Sequence, residues 1–162
     1  MISNLPPSNE PLVFLRFRPA WAYIDGVREF CRFFCQATYK QDELAERARL
    51  VLQETLENAI KYSTPGALSE LELEVHAEKD RFAIAITSRP DPRHLQNLKT
   101  ELEHLTLLDP EAAYVAAFVR AANEPEASAR LGLARMRYEG RFELLLDEQA
   151  DGRVRITAVG KP

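Results

Sequence analysis

The stretch LVLQETLENAIKYSTPG, Leu50 to Gly66, is the most informative in the chain. Together with the residues before it, it spaces Leu44, Ala48, Leu52, Leu56 and Ala59 at three to four residues, which predicts a helix from about Gln41 to Tyr62 with Asp42 as its cap. At about 100° per residue, Glu54, Asn58 and Lys61 fall within about 60° of one another, opposite Leu52 and Leu56. The helix thus carries a carboxylate, an amide and an ammonium on the side away from its apolar stripe. The run Ser63-Thr64-Pro65-Gly66-Ala67 then breaks it.

Upstream, Leu12 to Arg18 alternates Val13, Leu15 and Phe17 on one face and reads as a strand ended by Pro19. Trp21 to Tyr39 places Ile24, Val27, Cys31, Phe34 and Cys35 at helical spacing, with Phe30 and Phe33 widening the apolar face. So aromatic a helix is expected to be buried on two sides, within the core or against a partner chain. Downstream, Glu70–His76 and Phe82–Thr87 alternate as strands around a Glu78-Lys79-Asp80 turn, an antiparallel hairpin. Leu95, Leu98, Leu102 and Leu105 then mark one helix, and Asp109-Pro110-Glu111 opens another through Val119. A loop from Asn123 to Ser128 leads to a short helix with Gly132 near its start. Strands Phe142–Leu146 and Val154–Val159 close the chain around a turn at Asp151-Gly152.

Strands joined by hairpins, with the helices grouped between them, predict an α+β two-layer sandwich: a mixed, mostly antiparallel sheet covered by helices on one face. The 162 residues suit one domain, taken as 12–162 after a flexible leader at 1–11. A hydrophobic fraction of 46% and a charged fraction of 28% exclude disordered and collagen-like classes. A net charge of -4, with arginines interleaved among acids, argues against a nucleic-acid surface. The apolar run Ala112 to Val119 is far below the roughly 20 residues that cross a bilayer. The first residues have no basic stretch followed by an apolar one, so a cytoplasmic address is expected. Cys31 and Cys35, four apart on one helix face, read as buried thiols rather than a disulfide. Three scattered histidines suggest no zinc site, and phosphate-loop, nucleophile-elbow and H-E-x-x-H patterns are missing.

Glu54, Asn58 and Lys61 at i, i+4 and i+7, followed by a Ser-Thr-Pro-Gly turn, resemble the N-box helix of the histidine-kinase-like ATPase (GHKL) superfamily. NAIKYSTPG is similar to the stretch in sensor kinases and in anti-sigma factors that are serine-protein kinases. About 70 residues on, Arg130-Leu131-Gly132-Leu133-Ala134-Arg135 resembles the G2 box of that superfamily, and the order of elements from Leu12 to Val159 is similar too. The resemblance implies a Bergerat-type ATP-binding fold that binds ATP or ADP with Mg²⁺. It implies Glu54 as the catalytic general base, Asn58 as the Mg²⁺ ligand and Lys61 as a phosphate contact. Gly132 and Leu133 would approach the phosphates from a helix start, and the adenine-reading position falls at Ser88. The insert at 92–128 takes the place of the ATP lid.

This sequence departs from that pattern in its glycines. There are six, no two closer than eight residues, so no complete glycine box exists, and Ser88-Arg89-Pro90-Asp91-Pro92 stands where D-x-G-x-G is expected. Two function classes therefore stay open. One is a regulator of the anti-sigma-factor serine-kinase type, which binds and phosphorylates a small STAS-like protein in a partner-switching pathway, with a sigma factor as a further partner. The other is a pseudokinase that keeps the fold as a protein-binding module. A homodimer built on the aromatic Trp21–Tyr39 helix is a third reading.

Overall fold

Phe82–Ser88 (β3) reads FAIAITS, large and small residues in strict alternation, and every one of the seven is buried. Phe82, Ile84 and Ile86 point into the core, each worth about 1.5–3 kcal/mol of burial. Ala83, Ala85 and Thr87 point the other way. Such a strand belongs at the middle of a sheet, and there it lies.

The computed structural model describes residues 10–64, 70–124 and 128–162. Its strands are β1 (Val13–Phe17), β2 (Leu71–Ala77), β3, β4 (Glu143–Glu148) and β5 (Val154–Gly160), in spatial order β1-β2-β3-β5-β4. All four pairings are antiparallel. The sheet is therefore wholly antiparallel among the described strands, not mixed, because each hydrogen-bonded neighbour runs back along the one beside it. The β2–β3 hairpin forms as expected.

Helices α1 (Ile24–Tyr39), α2 (Asp42–Lys61) and α5 (Ser128–Tyr138) pack on the inner face. Leu44, Leu52 and Leu56 of α2 and Met136 of α5 are fully buried. Thr55 ties the two helices together, its hydroxyl 3.2 Å from the Met136 sulfur. The Tyr39 ring stands edge-on to Phe82 while its hydroxyl donates to the Glu78 carbonyl at 2.7 Å, fixing the end of α1 on the hairpin turn. On the outer face Arg155 of β5 reaches across β3 to Glu74 of β2 in a two-pronged pair at 2.6 and 2.8 Å. The small residues of β3 leave the room for that crossing.

Several boundaries differ from the sequence expectation. A 3-10 turn, Trp21–Tyr23, precedes α1. Gln41, not Asp42, is the N-cap of α2; Asp42 is in the first turn, accepting a hydrogen bond from Gln36 at 2.6 Å. The insert forms two helices, α3 (Pro92–Leu107) and α4 (Pro110–Asn123), the second running four residues past Val119. Both open on an Asp-Pro pair whose carboxylate accepts from the first free amides. Of the expected leader at 1–11, residues 1–9 lie outside the described residues, as do the turn residues 65–67 and the loop residues 125–127.

Candidate functional site

The last turns of α2, the ends of β3 and β5, and the faces of α3 and α5 enclose a cavity of about 650 Å³. The segment after α2 is held to the segment after β3 by backbone bonds, Thr64 N–H to the Arg89 carbonyl at 2.9 Å and Asp91 N–H to the Tyr62 carbonyl at 3.0 Å. These bonds close one end of the space. Ala59, Leu98, Leu133, Val154 and Ile156 make apolar wall, and Asn58, Lys61 and Ser88 bring polar groups to it.

Four of the residues singled out in the sequence, Asn58, Lys61, Ser88 and Leu133, thus share one cavity wall. Lys61 is exposed, its ammonium 5.2 Å from the centre of the Tyr62 ring. Ser88, the last residue of β3, is buried. Asp91, close to Ser88 in sequence, does not face a base: it caps α3, accepting from the Arg93 amide at 2.9 Å.

Glu54 and Gly132 are not part of that wall. They meet in the seam between α2 and α5. One Glu54 oxygen accepts from Arg135 at 2.7 Å, and the other lies 2.5 Å from where a Cβ on Gly132 would stand. Burial pushes the Glu54 carboxyl above its usual range, against the pull of Arg135. Arg135 also reaches Glu139, at 3.3 Å. Gly132 is the fifth residue of α5, one turn inside it, so its amide belongs to the helix rather than to an exposed N-terminus. The short helix starts at Ser128, where the sequence places it, and its glycine lets two helices close.

The sequence reading did not single out the contribution of α3. His94, Asn97 and Glu101 line the cavity beside Leu98, and their spacing of three, four and seven is one helix face, a signal available in the sequence. The Tyr62 and His94 rings lie 4.6 Å apart at the mouth. Glu101, mostly buried, pairs with Arg130 of α5 at 3.2 Å. The arrangement offers an apolar wall with an amide, two cations and two carboxylates around it, Lys61 and Arg130 against Glu101 and Glu124, of a size that suits a small organic ligand. Cys31 and Cys35 are buried free thiols, as expected.

The sequence matches no family model. It matches no curated protein. The fold does have a solved counterpart: a chain from the crystal structure of the SiaB-SiaC complex from Pseudomonas aeruginosa aligns over 94% of this chain and 91% of that one, with a TM-score of 0.67 and 18% sequence identity. At that identity the likeness is one of fold. It covers the chain nearly from end to end, so the α+β sandwich is a known whole-domain architecture. No helix among the described residues is long and apolar enough to cross a membrane.

Proposed function

We propose that the chain is a regulatory nucleotide-binding protein of the anti-sigma-factor serine-kinase type, which binds ATP or ADP in the α2–α3–α5 cavity and acts on a small protein partner. The observation that carries this reading is the shared wall of Asn58, Lys61, Ser88 and Leu133, residues from three elements that meet at one cavity of nucleotide size. The residues fit the ligand in kind, with apolar side chains for a base and Lys61 for phosphate charge, while Arg130 would reach a phosphate only by leaving Glu101. Asn58 would hold Mg²⁺ through its amide oxygen. With no trio of acidic, His or Cys side chains gathered among the described residues, phosphate oxygens and water would complete the shell. Bound there, the ion shields phosphate charge.

In this reading a partner of STAS-like fold would present a serine or threonine hydroxyl, Glu54, once released from Arg135, would take its proton, and the γ-phosphoryl group would move to that oxygen as ADP leaves. The histidine-kinase-like superfamily assignment and the partner-switching role belong to the same proposal, with a sigma factor as a further partner. A solved counterpart described as a complex of two proteins supports a partner-binding use of the fold.

A second reading, a pseudokinase that binds its partner without phosphoryl transfer, is favoured by the Glu54–Arg135 ion pair. That pair holds the carboxylate in a helix seam and away from the cavity wall. Thermal denaturation with millimolar ATP or ADP, with and without Mg²⁺, tests the binding. A Tm that rises with nucleotide concentration supports it, and a Leu133→Trp variant, which fills the cavity, should lose the rise. Incubation with ATP and a STAS-fold acceptor protein then separates the two readings: phosphate appearing on the acceptor's serine or threonine, matched by ADP and above the level of a Glu54→Gln variant, means transfer, and nucleotide and partner binding without it means a pseudokinase.

A further inference from the structure

The wall of the proposed nucleotide cavity holds as many acids as cations, Glu101 and Glu124 against Lys61 and Arg130. Glu101 differs from the other three. Lys61 and Glu124 are exposed, and the Arg130 side chain keeps 41% of its surface, whereas the Glu101 side chain keeps 12%. A carboxylate that far from water needs a partner, and the Arg130 Nε supplies it at 3.2 Å. The pair is lopsided, since its negative end is buried and its positive end is not.

That asymmetry decides what a phosphate would meet. To bind Arg130, a phosphate oxygen must displace the Glu101 carboxylate. Breaking such a pair strands a buried charge, and the stranded charge has the same sign as the ligand. Glu124 carries the same charge but stands in water, where screening makes it count for little. Glu101 has one way out. It also lines a second cavity, of about 230 Å³ between α3 and α4, where Arg120 shares the wall. A carboxylate that turns from Arg130 toward Arg120 exchanges one cation for another.

We infer that Glu101 is a positioning residue that sets how tightly the cavity holds a nucleoside polyphosphate. It keeps Arg130 to itself, and a ligand gains Arg130 only by bringing enough negative charge to take it. This rests on the nucleotide reading above and adds to it the residue that opposes binding. The base and the sugar have no part in the contest, so a nucleoside without phosphate is indifferent to Glu101.

Calorimetric titration of the full chain with ATP and Mg²⁺, at one low ionic strength, tests it in wild type, Glu101→Gln, Glu124→Gln, Arg130→Gln and the Glu101→Gln/Arg130→Gln double variant. All should keep the wild-type circular dichroism spectrum. Glu101→Gln should bind ATP about five- to tenfold more tightly than wild type. Glu124→Gln removes the same charge from the same wall and should tighten binding less than about twofold. Arg130→Gln alone should change the affinity by less than about threefold, since it loses a contact and a competitor together. Added to Glu101→Gln, it should remove most of the gain. Adenosine, tested in place of ATP, should bind every variant as it binds wild type. The inference is overturned, with nucleotide binding left standing, by any of four results: no tightening in Glu101→Gln, tightening that Glu124→Gln matches, a gain that survives Arg130→Gln, or an adenosine affinity that shifts as far as that of ATP. ATP bound by none of these proteins overturns the nucleotide reading and this inference with it.

Discussion

Glu54 of α2 and Arg135 of α5 are joined at 2.7 Å, and it is the missing side chain of Gly132 that leaves room for their carboxylate–guanidinium contact. A Cβ at residue 132 would press on the movable end of Glu54, not on backbone. Gly132→Ala should therefore change overall stability by less than about 1 kcal/mol, the gain in helix propensity offsetting the lost pair. The signature lies in the coupling. A double-mutant cycle over Glu54→Ala and Arg135→Ala should give roughly 1 kcal/mol in the wild-type background and near zero in the Gly132→Ala background, read from urea denaturation.

Gly140 provides the contrast. A Cβ there would stand 2.5 Å from the Met136 carbonyl oxygen and 2.7 Å from the Val51 side chain. Neither gives easily, one being backbone and the other fully buried. Gly140→Ala should lose about 1–3 kcal/mol. A thermal melt would register this as a fall of roughly 2–4 °C for each kcal/mol.

The fold was legible in the sequence because period decides it: alternation in FAIAITS and the Leu44–Ala59 stripe specify which face goes inward, and the structure follows both. The cavity wall was partly legible. Asn58, Lys61 and Ser88 stand at element ends, where local spacing fixes position, and the structure gathers them. The Glu54–Arg135 contact was not legible, since the two residues are 81 apart and only helix packing brings them together. The same holds for Gly132, whose neighbours in sequence suggested a phosphate turn while its neighbour in space is Glu54. Gln41 displaced Asp42 as cap because the backbone is already helical at Asp42.

Glu74 links stability to pH. Hydrogen bonds from Arg155 hold its carboxyl below the usual carboxylate range, His76 adding to them against the opposing effect of burial. A depressed folded pKa stabilises above the unfolded value of about 4.3, and that contribution disappears as pH falls through the lower folded value. Glu74→Gln should cost about 1.5–3 kcal/mol at pH 7. Denaturant curves from pH 7 to pH 3 should show the gap between variant and wild type shrinking progressively once pH falls below about 4.3.

The thiols of Cys31 and Cys35 should be silent in the folded protein. Burial raises Cys31 to about 12, its neighbour Cys35 adding to the effect, and burial raises Cys35 to about 11. Thiolate is the reactive form, so an aromatic disulfide reagent at pH 8 should release almost no colour from the native chain and a full two equivalents in denaturant.

The central claim is that Asn58, Lys61, Ser88 and Leu133 line a nucleotide site. Calorimetric titration with ATP and Mg²⁺, run beside an Asn58→Ala variant of matched stability, tests it most directly. The account predicts binding in the micromolar to sub-millimolar range for the wild type, about tenfold or more weaker in the variant, and weaker for both without Mg²⁺. No heat from the wild type at millimolar ATP or ADP would contradict it.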